Sequence, residues 1–555
     1  MRRRALTVFL GLLCAVSACR SSPDGDAGPY LRLADQDDIP TLDPARGYDT
    51  ASWQFEAMLF NTLVDYDAQS QLVGTLASGW EIAPDQLTYV FHLRDDARFT
   101  NGRAVVAADV AYAIKRVLSP ATRSPGAEFF HGLTGAKECD TPACAMAGID
   151  VVDAHTVRFQ LAAIDPLFLH KLAMPFASAV PAEEVERWGE DFGRHPVGSG
   201  AFILQEWRSG QRLLFVRNPG YFGGAPRLQG VLRLVGVNDD LAWLKYDSGQ
   251  LDVANIPPAE FPRVIREPRY QPLLHHVTTM RTQYLGMNCA LAPFTDRRVR
   301  QALNHAVNKE KLLRLINNRG VVAQGILPPN MPGYTPDVGA YAFDPAAARR
   351  LLAQAGFAEG FTSTLWVRND ENTLRLAQSI QQDLADVGVG VQIKAIAWGP
   401  FLEAVKKLDL VPMFLLGWEA DFPDPSNFLE VLFHSKYVGT NNNTNYRNAT
   451  VDAELDQAAR TADTAARFAL LRHVEATILA DAPWVPLMHP MSYEIVSPRV
   501  CDFQLHPLRP ARFDHVWLAD AGRATGDARQ QSEDTGTSAA RREVRMEPGA
   551  PERAP

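Results

Sequence analysis

An apolar run from Val411 to Leu416 constrains this chain more than any other stretch, because a segment this greasy and this short reads as a strand buried inside a sheet. It runs straight into Gly417-Trp418-Glu419-Ala420-Asp421-Phe422-Pro423-Asp424-Pro425. A buried strand that ends in a tryptophan and carboxylates broken by prolines is a common build for a ligand-facing loop on a rigid element. Local chemistry leaves a second reading open, a turn carrying solvated acids. The sequence around the run supports a sheet with helices. Asp296 opens a helix with Val299, Leu303 and Ala306 on one face, and Asp344-Pro345 is an N-cap followed by a proline at the first helical position, in a helix that stops at Gly356. Ala377, Ile380, Leu384 and Val387 form one helical stripe, and Val389, Val391 and Ile393 then alternate as a strand. Together they predict an α/β unit from about 280 to 484.

The N-terminal half has a different texture. Leu87, Tyr89, Phe91 and Leu93 alternate within 80–94 as a half-buried strand preceded by the turn Ala83-Pro84-Asp85. Asp109 is expected to cap a helix running through Val110, Ala113, Ile114 and Val117. Phe202 to Trp207, a Ser209-Gly210 turn and Leu213 to Arg217 read as a hairpin. The chain has 555 residues, enough for about three domains at ~150 residues each. Its formal net charge of -9 and the lack of a Lys/Arg-rich block in its body exclude a nucleic-acid surface.

Arg2, Arg3 and Arg4 precede an apolar run from Ala5 to Ala15, which reads as a secretory signal over residues 1–18, too short for a stable membrane span. Val16-Ser17-Ala18-Cys19 resembles a bacterial lipobox, so Cys19 is expected to carry lipid and to anchor the mature protein in the cell envelope; the alternative is an ordinary cleavage near Ala18. Residues 19–29 make a polar tether. The body then lies in an oxidising compartment, where Cys139 and Cys144, bracketing a short turn-rich loop, are expected to form a disulfide. Cys289 and Cys501 read as buried small hydrophobes. Residues 521–555 are poor in apolar side chains and are expected to be disordered.

The sequence holds no GxSxG, HExxH, Walker lysine loop or CxxC, so it supplies no recognisable catalytic kit. His275-His276 is the only adjacent histidine pair; neighbours on a strand face opposite ways and chelate poorly, so neither metal nor cofactor is expected. The balance favours binding over catalysis.

A set of landmarks in order resembles the substrate-binding proteins of bacterial ABC importers, the oligopeptide/dipeptide-binding family (extracellular solute-binding protein family 5). They are Thr41-Leu42-Asp43-Pro44, Leu76-Ala77-Ser78-Gly79-Trp80 through Leu93-Arg94, Asn101-Gly102, Ala108-Asp109-Val110, Val197-Gly198-Ser199-Gly200, Asn218-Pro219-Gly220-Tyr221, the helix after Phe294, and Gly417 to Pro425. The resemblance covers about 30–520. It implies an α/β, periplasmic-binding-protein-like clamshell of two lobes (type II, three-domain peptide-binding variant). Lobe 1 would combine 30–52, 188–278 and 485–520, with a subdomain inserted over 53–187; lobe 2 would be 279–484, with hinge crossings near His276–Met280 and Pro483–Pro486. The resemblance also implies that Asp421, three residues after Trp418, holds a ligand α-ammonium, and that the backbone of Gly417 to Glu419 pairs with an extended peptide. Trp398 stands where the family often has a pocket aromatic, with a core tryptophan as the alternative. Asp424 is expected to shape the loop, and Asn441 to Tyr446 to be a solvated loop. Ala201-Phe202 departs from the family's Pro-Tyr, which puts a binding role there in doubt, and no arginine for a peptide C-terminus can be matched. The implied protein is a monomer in the periplasm that captures short peptides for a membrane permease. Binding of a metal chelate, haem or another solute is the alternative, and a secreted hydrolase of cell-wall peptides the more distant one.

Overall fold

The computed structural model describes residues 29–339, 341–508 and 511–519. The stretches expected to be a signal segment and a tether, Cys19 between them, and the tail from 520 lie outside the described residues.

The first ordered strand, Tyr30–Asp35, pairs in parallel with Gly230–Val235, which continues antiparallel to Arg212–Arg217 and then Phe202–Arg208. The last two form the expected hairpin, turned by Gly210 at φ +68°. One face of this sheet is covered by the helix Thr50–Leu59, started by Asp49, whose carboxylate accepts from the Ser52 amide. Phe55 of that helix stacks on Phe215 with ring centroids 5.0 Å apart. The glycines of Val197-Gly198-Ser199-Gly200 are there for close approach. A Cβ on Gly198 or Gly200 would fall 2.0 Å from the Leu59 carbonyl oxygen or 2.3 Å from that of Met58. Phe202, two residues on, is 1% exposed in this core, so the position departs from tyrosine as a packing residue.

A second four-stranded sheet, Ala77–Ile82, Thr88–Leu93, Thr156–Gln160 and Ile149–Asp153 in spatial order, packs on the helix Ala107–Leu118. Asp109 does not cap this helix. Val106 occupies that position and Asp109 is the third helical residue, where its carboxylate accepts from the Val106 amide at 2.9 Å and is gripped by Arg103. An acidic group in the first turn serves the exposed amides about as well as one at the cap. Arg116 on the same helix reaches Asp43 with two bonds of 2.7 and 2.6 Å. Thr41-Leu42-Asp43-Pro44 is therefore a structural tie: its buried carboxylate joins the N-terminal segment to the second sheet's helix. Cys139 and Cys144 are bonded, with Cα atoms 5.3 Å apart. Cys289 and Cys501 are free thiols of intermediate exposure.

The largest sheet has eight strands. Its main path runs Val253–Asn255, Trp484–Val496, Arg281–Met287, Met413–Glu419, Phe361–Arg368, Val389–Ile396, and Leu274–Thr278 and Gly320–Val322 pair with the long strand Trp484–Val496 off that path. The helices Arg297–Ala306, Pro345–Gln354 and Glu371–Ala385 cover it, capped by Asp296, Asp344 and Asp370. The long strand changes partners as it goes. Through Pro490 it lies against Arg281–Met287 and Gly320–Val322; from Met491 it lies against Leu274–Thr278 and Val253–Asn255. The change of partners falls a few residues beyond Pro483–Pro486. His275 and His276 sit on one of those partner strands, the first against Phe503 and the second against Tyr493, so they do not converge.

Glu475, 2% exposed, accepts from the Ile326 and Leu327 amides at 2.8 and 3.0 Å. Burial pushes its carboxyl up to about 7. A folded-state value above the unfolded one means that this group's stabilising contribution is complete below pH ~4.5 and lost as pH rises through about 7. Glu475→Gln keeps the acceptor and removes the titration. Urea unfolding at pH 5 and pH 8 should show the wild type losing about 3 kcal/mol relative to the variant over that interval.

Candidate functional site

The strand Met413–Glu419 is longer than its apolar run. Gly417, Trp418 and Glu419 belong to it and not to a loop, in register with Gln283, Thr282 and Arg281. The extension is stable because Gly417 lets the Arg281 side chain lie across it: a Cβ there would stand 3.2 Å from Nε and 3.3 Å from Nη2 of Arg281.

The register fixes which way the backbone groups face. The Ala420 amide donates to the Met280 carbonyl at one end of the pairing, and the Asn288 amide to the Pro412 carbonyl at the other, both at 2.9 Å. Antiparallel pairs alternate between bonded and non-bonded, so even-numbered residues of Met413–Glu419 face Arg281–Met287 and odd-numbered ones face away. On the far side, the parallel pairing with Phe361–Arg368 covers only Leu365↔Met413 and Trp366↔Phe414. The N–H and C=O of Gly417 and Glu419 therefore point to an edge with no strand pairing among the described residues. Arg368, two residues past Trp366, ends the neighbouring strand at about the level of Leu416.

Asp421 lies just beyond that edge. One carboxylate oxygen accepts from Nδ2 of Asn427 at 3.1 Å, the other from the Tyr48 hydroxyl at 3.3 Å. The Asn427 carbonyl oxygen accepts from the Asp421 amide and from Nε1 of Trp418, both at 3.1 Å. One buried side chain thus fixes the tryptophan, the turn and the carboxylate together. Tyr48 comes from the segment just before the helix Thr50–Leu59, packed on Trp53 and Phe176 with centroids 5.6 and 5.5 Å away. Burial, and then the Asp421 carboxylate, push its hydroxyl well above the usual tyrosine range, so it remains a donor.

Asp424 plays another part. It is 3% exposed, accepts two bonds of 2.6 Å from Arg467, and accepts from the Ser426 amide and hydroxyl. Burial alone would raise its carboxyl; Arg467 outweighs that and holds it below the ordinary carboxylate range. The group is a brace for the turn.

Trp398 is 43% exposed at the start of the helix Trp398–Val405, with the Arg368 guanidinium carbon 5.4 Å from its ring centroid. It is a surface residue, not a core tryptophan. Asn441 to Tyr446 contradicts the expectation of a solvated loop. Asn442, Thr444, Asn445 and Tyr446 are buried, with the Asn442 amide donating to the Phe433, His434 and Tyr446 carbonyls and the Tyr446 hydroxyl donating to Asp481 at 2.7 Å. Polar composition misled there because side-chain amides take the place of water for buried carbonyls. Sequence reasoning also missed Tyr48, Asn427 and Arg281. Asn427 had a signal of a kind, an amide two residues after a proline at the start of an apolar helix; Tyr48, 373 positions from its partner, had none.

Two α/β units joined by strand crossings, with a carboxylate from one meeting a tyrosine from the other across the cleft, have the build of a two-lobed solute-binding protein. Known proteins agree. The profile of bacterial extracellular solute-binding proteins, family 5 (middle region), matches residues 71–440. The dipeptide-binding protein of Escherichia coli K12 is 30% identical over 485 residues, covering 82% of this chain and 88% of that one. Heme-binding protein A of Haemophilus influenzae is 28% identical, covering 81% and 85%. The solved structure of the ABC transporter-associated periplasmic binding protein DppA from Helicobacter pylori, in complex with peptide STSA, is 26% identical, with a TM-score of 0.74 over 88% of this chain and 98% of that one. The chain belongs to the bacterial extracellular solute-binding proteins of family 5, a family of binding proteins and not of enzymes.

Removing one partner of a buried ion pair strands the other. Asp424→Ala should lower unfolding free energy by about 3–5 kcal/mol in urea titration, because Arg467 is left buried and uncompensated.

Proposed function

We propose that the protein is an extracytoplasmic receptor that closes on a short peptide and delivers it to an ABC permease. The observation that carries this reading is the pairing of Asp421 with the open backbone edge of Gly417 and Glu419. A peptide's α-ammonium at Asp421 makes a charge-assisted pair with its carboxylate. Its main chain then adds to the edge as an extra strand, giving affinity that does not depend on side chains. At ~3.3 Å per residue the edge suits two or three ligand residues, with the far carboxylate toward Arg368. Trp418 and Trp398 supply flanking aromatic surface. The names of the Escherichia coli and Helicobacter pylori relatives support a peptide.

In this reading lobe 1 comprises 30–52, 188–278 and 485–520, the inserted subdomain is 53–187 and lobe 2 is 279–484. Closure is a shift toward the state in which ligand touches both lobes. Cys19 carries the lipid that holds a monomeric receptor at the membrane in the periplasm. Haem is a less suitable ligand, since His275 and His276 face apart and each packs on an aromatic ring.

Calorimetry with a panel of dipeptides provides the test. Asp421→Asn, which keeps an acceptor for the buried Asn427 amide and removes the charge, should weaken binding more than tenfold while leaving the urea midpoint nearly in place, in contrast to Asp424→Ala. An unchanged dissociation constant in Asp421→Asn would remove the ammonium anchor.

A further inference from the structure

A second cavity opens beside the same strand, on the face of the sheet that carries the Glu419 side chain. It has a volume of ≈ 360 Å³ and walls from elements far apart in the chain. Asp35, Gln54 and Arg233 come from the first sheet and its covering helix, Ser492 and Glu494 from the long strand Trp484–Val496, and Glu419 from the site strand.

Among the described lining residues three carboxylates, Asp35, Glu419 and Glu494, stand with one arginine, Arg233. Arg233 is 2% exposed, ion-paired with Asp35, donates to Gln54 Oε1 at 3.1 Å and stacks over Phe55 at 4.1 Å. That cation is matched by its own acid. Glu494 has no such match. Its cross-strand neighbours are Asn255 and His275, and His275 packs on Phe503. Among the described residues the Glu494 side chain makes no hydrogen bond and no ion pair, and neither does the exposed Glu419 side chain. His506, also on the wall, has its ring engaged by Ser70, the Asp67 carbonyl and the Leu508 amide. Burial with no compensating partner pushes the Glu494 carboxyl up to about 7. A part-buried carboxylate left in that condition is costly, and a cation brought into the cavity relieves it.

We propose that this cavity is a side-chain subsite of the ligand cleft and that it takes a cationic side chain, of the lysine or arginine class, held by Glu494 with Glu419. The assignment rests on the peptide reading above. A ligand strand on the Gly417–Glu419 edge alternates its side chains between the two faces of the sheet. A ligand residue whose side chain leaves on the same face as Glu419 enters the cavity.

The test compares Ala-Lys with Ala-norleucine, which has the same carbon chain without the ammonium, by calorimetry on the full chain. Wild type should bind Ala-Lys at least tenfold more tightly, and in Glu494→Gln the ratio of the two affinities should collapse toward one. Glu419→Gln, on an exposed side chain, should reduce the ratio several-fold and covers the case in which the first variant does not fold. Equal affinities in the wild type, with both peptides bound, overturn the subsite and leave the peptide reading intact. A ratio that survives both substitutions also overturns it. If neither dipeptide binds, the peptide reading fails, and 1,5-diaminopentane decides the subsite: binding that Glu494→Gln abolishes supports it, and no binding overturns it.

Discussion

The pairing between Arg281–Met287 and Met413–Glu419 is the constraint on which the rest of the site depends. Its register assigns the even-numbered backbone groups of the site strand to the sheet and leaves those of Gly417 and Glu419 facing the other way. A slip of one residue would invert this assignment and turn every side chain to the opposite face. Two features oppose a slip. The Arg281 side chain lies flat over the one residue that has no Cβ, and Met413, Phe414 and Leu415 are buried between the neighbouring strands. The same apolar packing that makes the strand also aims its polar edge at the cleft.

Around that edge the carboxylates divide by environment. Asp424 is enclosed and paired to Arg467, so it braces the turn. Asp421 is partly exposed and accepts from the Asn427 amide and the Tyr48 phenol, which orient it. Glu494 is part-buried and its side chain has no partner among the described residues, so it gains from an incoming cation. Burial and pairing, more than residue type, separate structural acids from ligand-directed ones.

Much of this was legible in the sequence. The helices at Asp296 and Asp344 carry caps whose chemistry is local, and the 202–217 hairpin carries its own turn, so spacing sufficed. Trp418 and Asp421 stood out because a tryptophan and acids followed a buried strand. What could not be read were partners set by tertiary contact. Tyr48 meets Asp421 across the cleft, and Arg116 meets Asp43 across 73 positions. Asn441 to Tyr446 misled for the related reason that polar side chains were satisfied internally. The position of Asp109 slipped because the cap and the third helical residue both favour acids.

The central claim is that a ligand backbone joins the sheet at Gly417 and Glu419. Hydrogen exchange resolved to single amides, with and without a saturating dipeptide, addresses it most directly. The Gly417 or Glu419 amide should slow tenfold or more on binding, while the Trp418 amide, directed at Thr282 by the register, should not change. Exchange at both Gly417 and Glu419 unaltered at saturation would contradict the account.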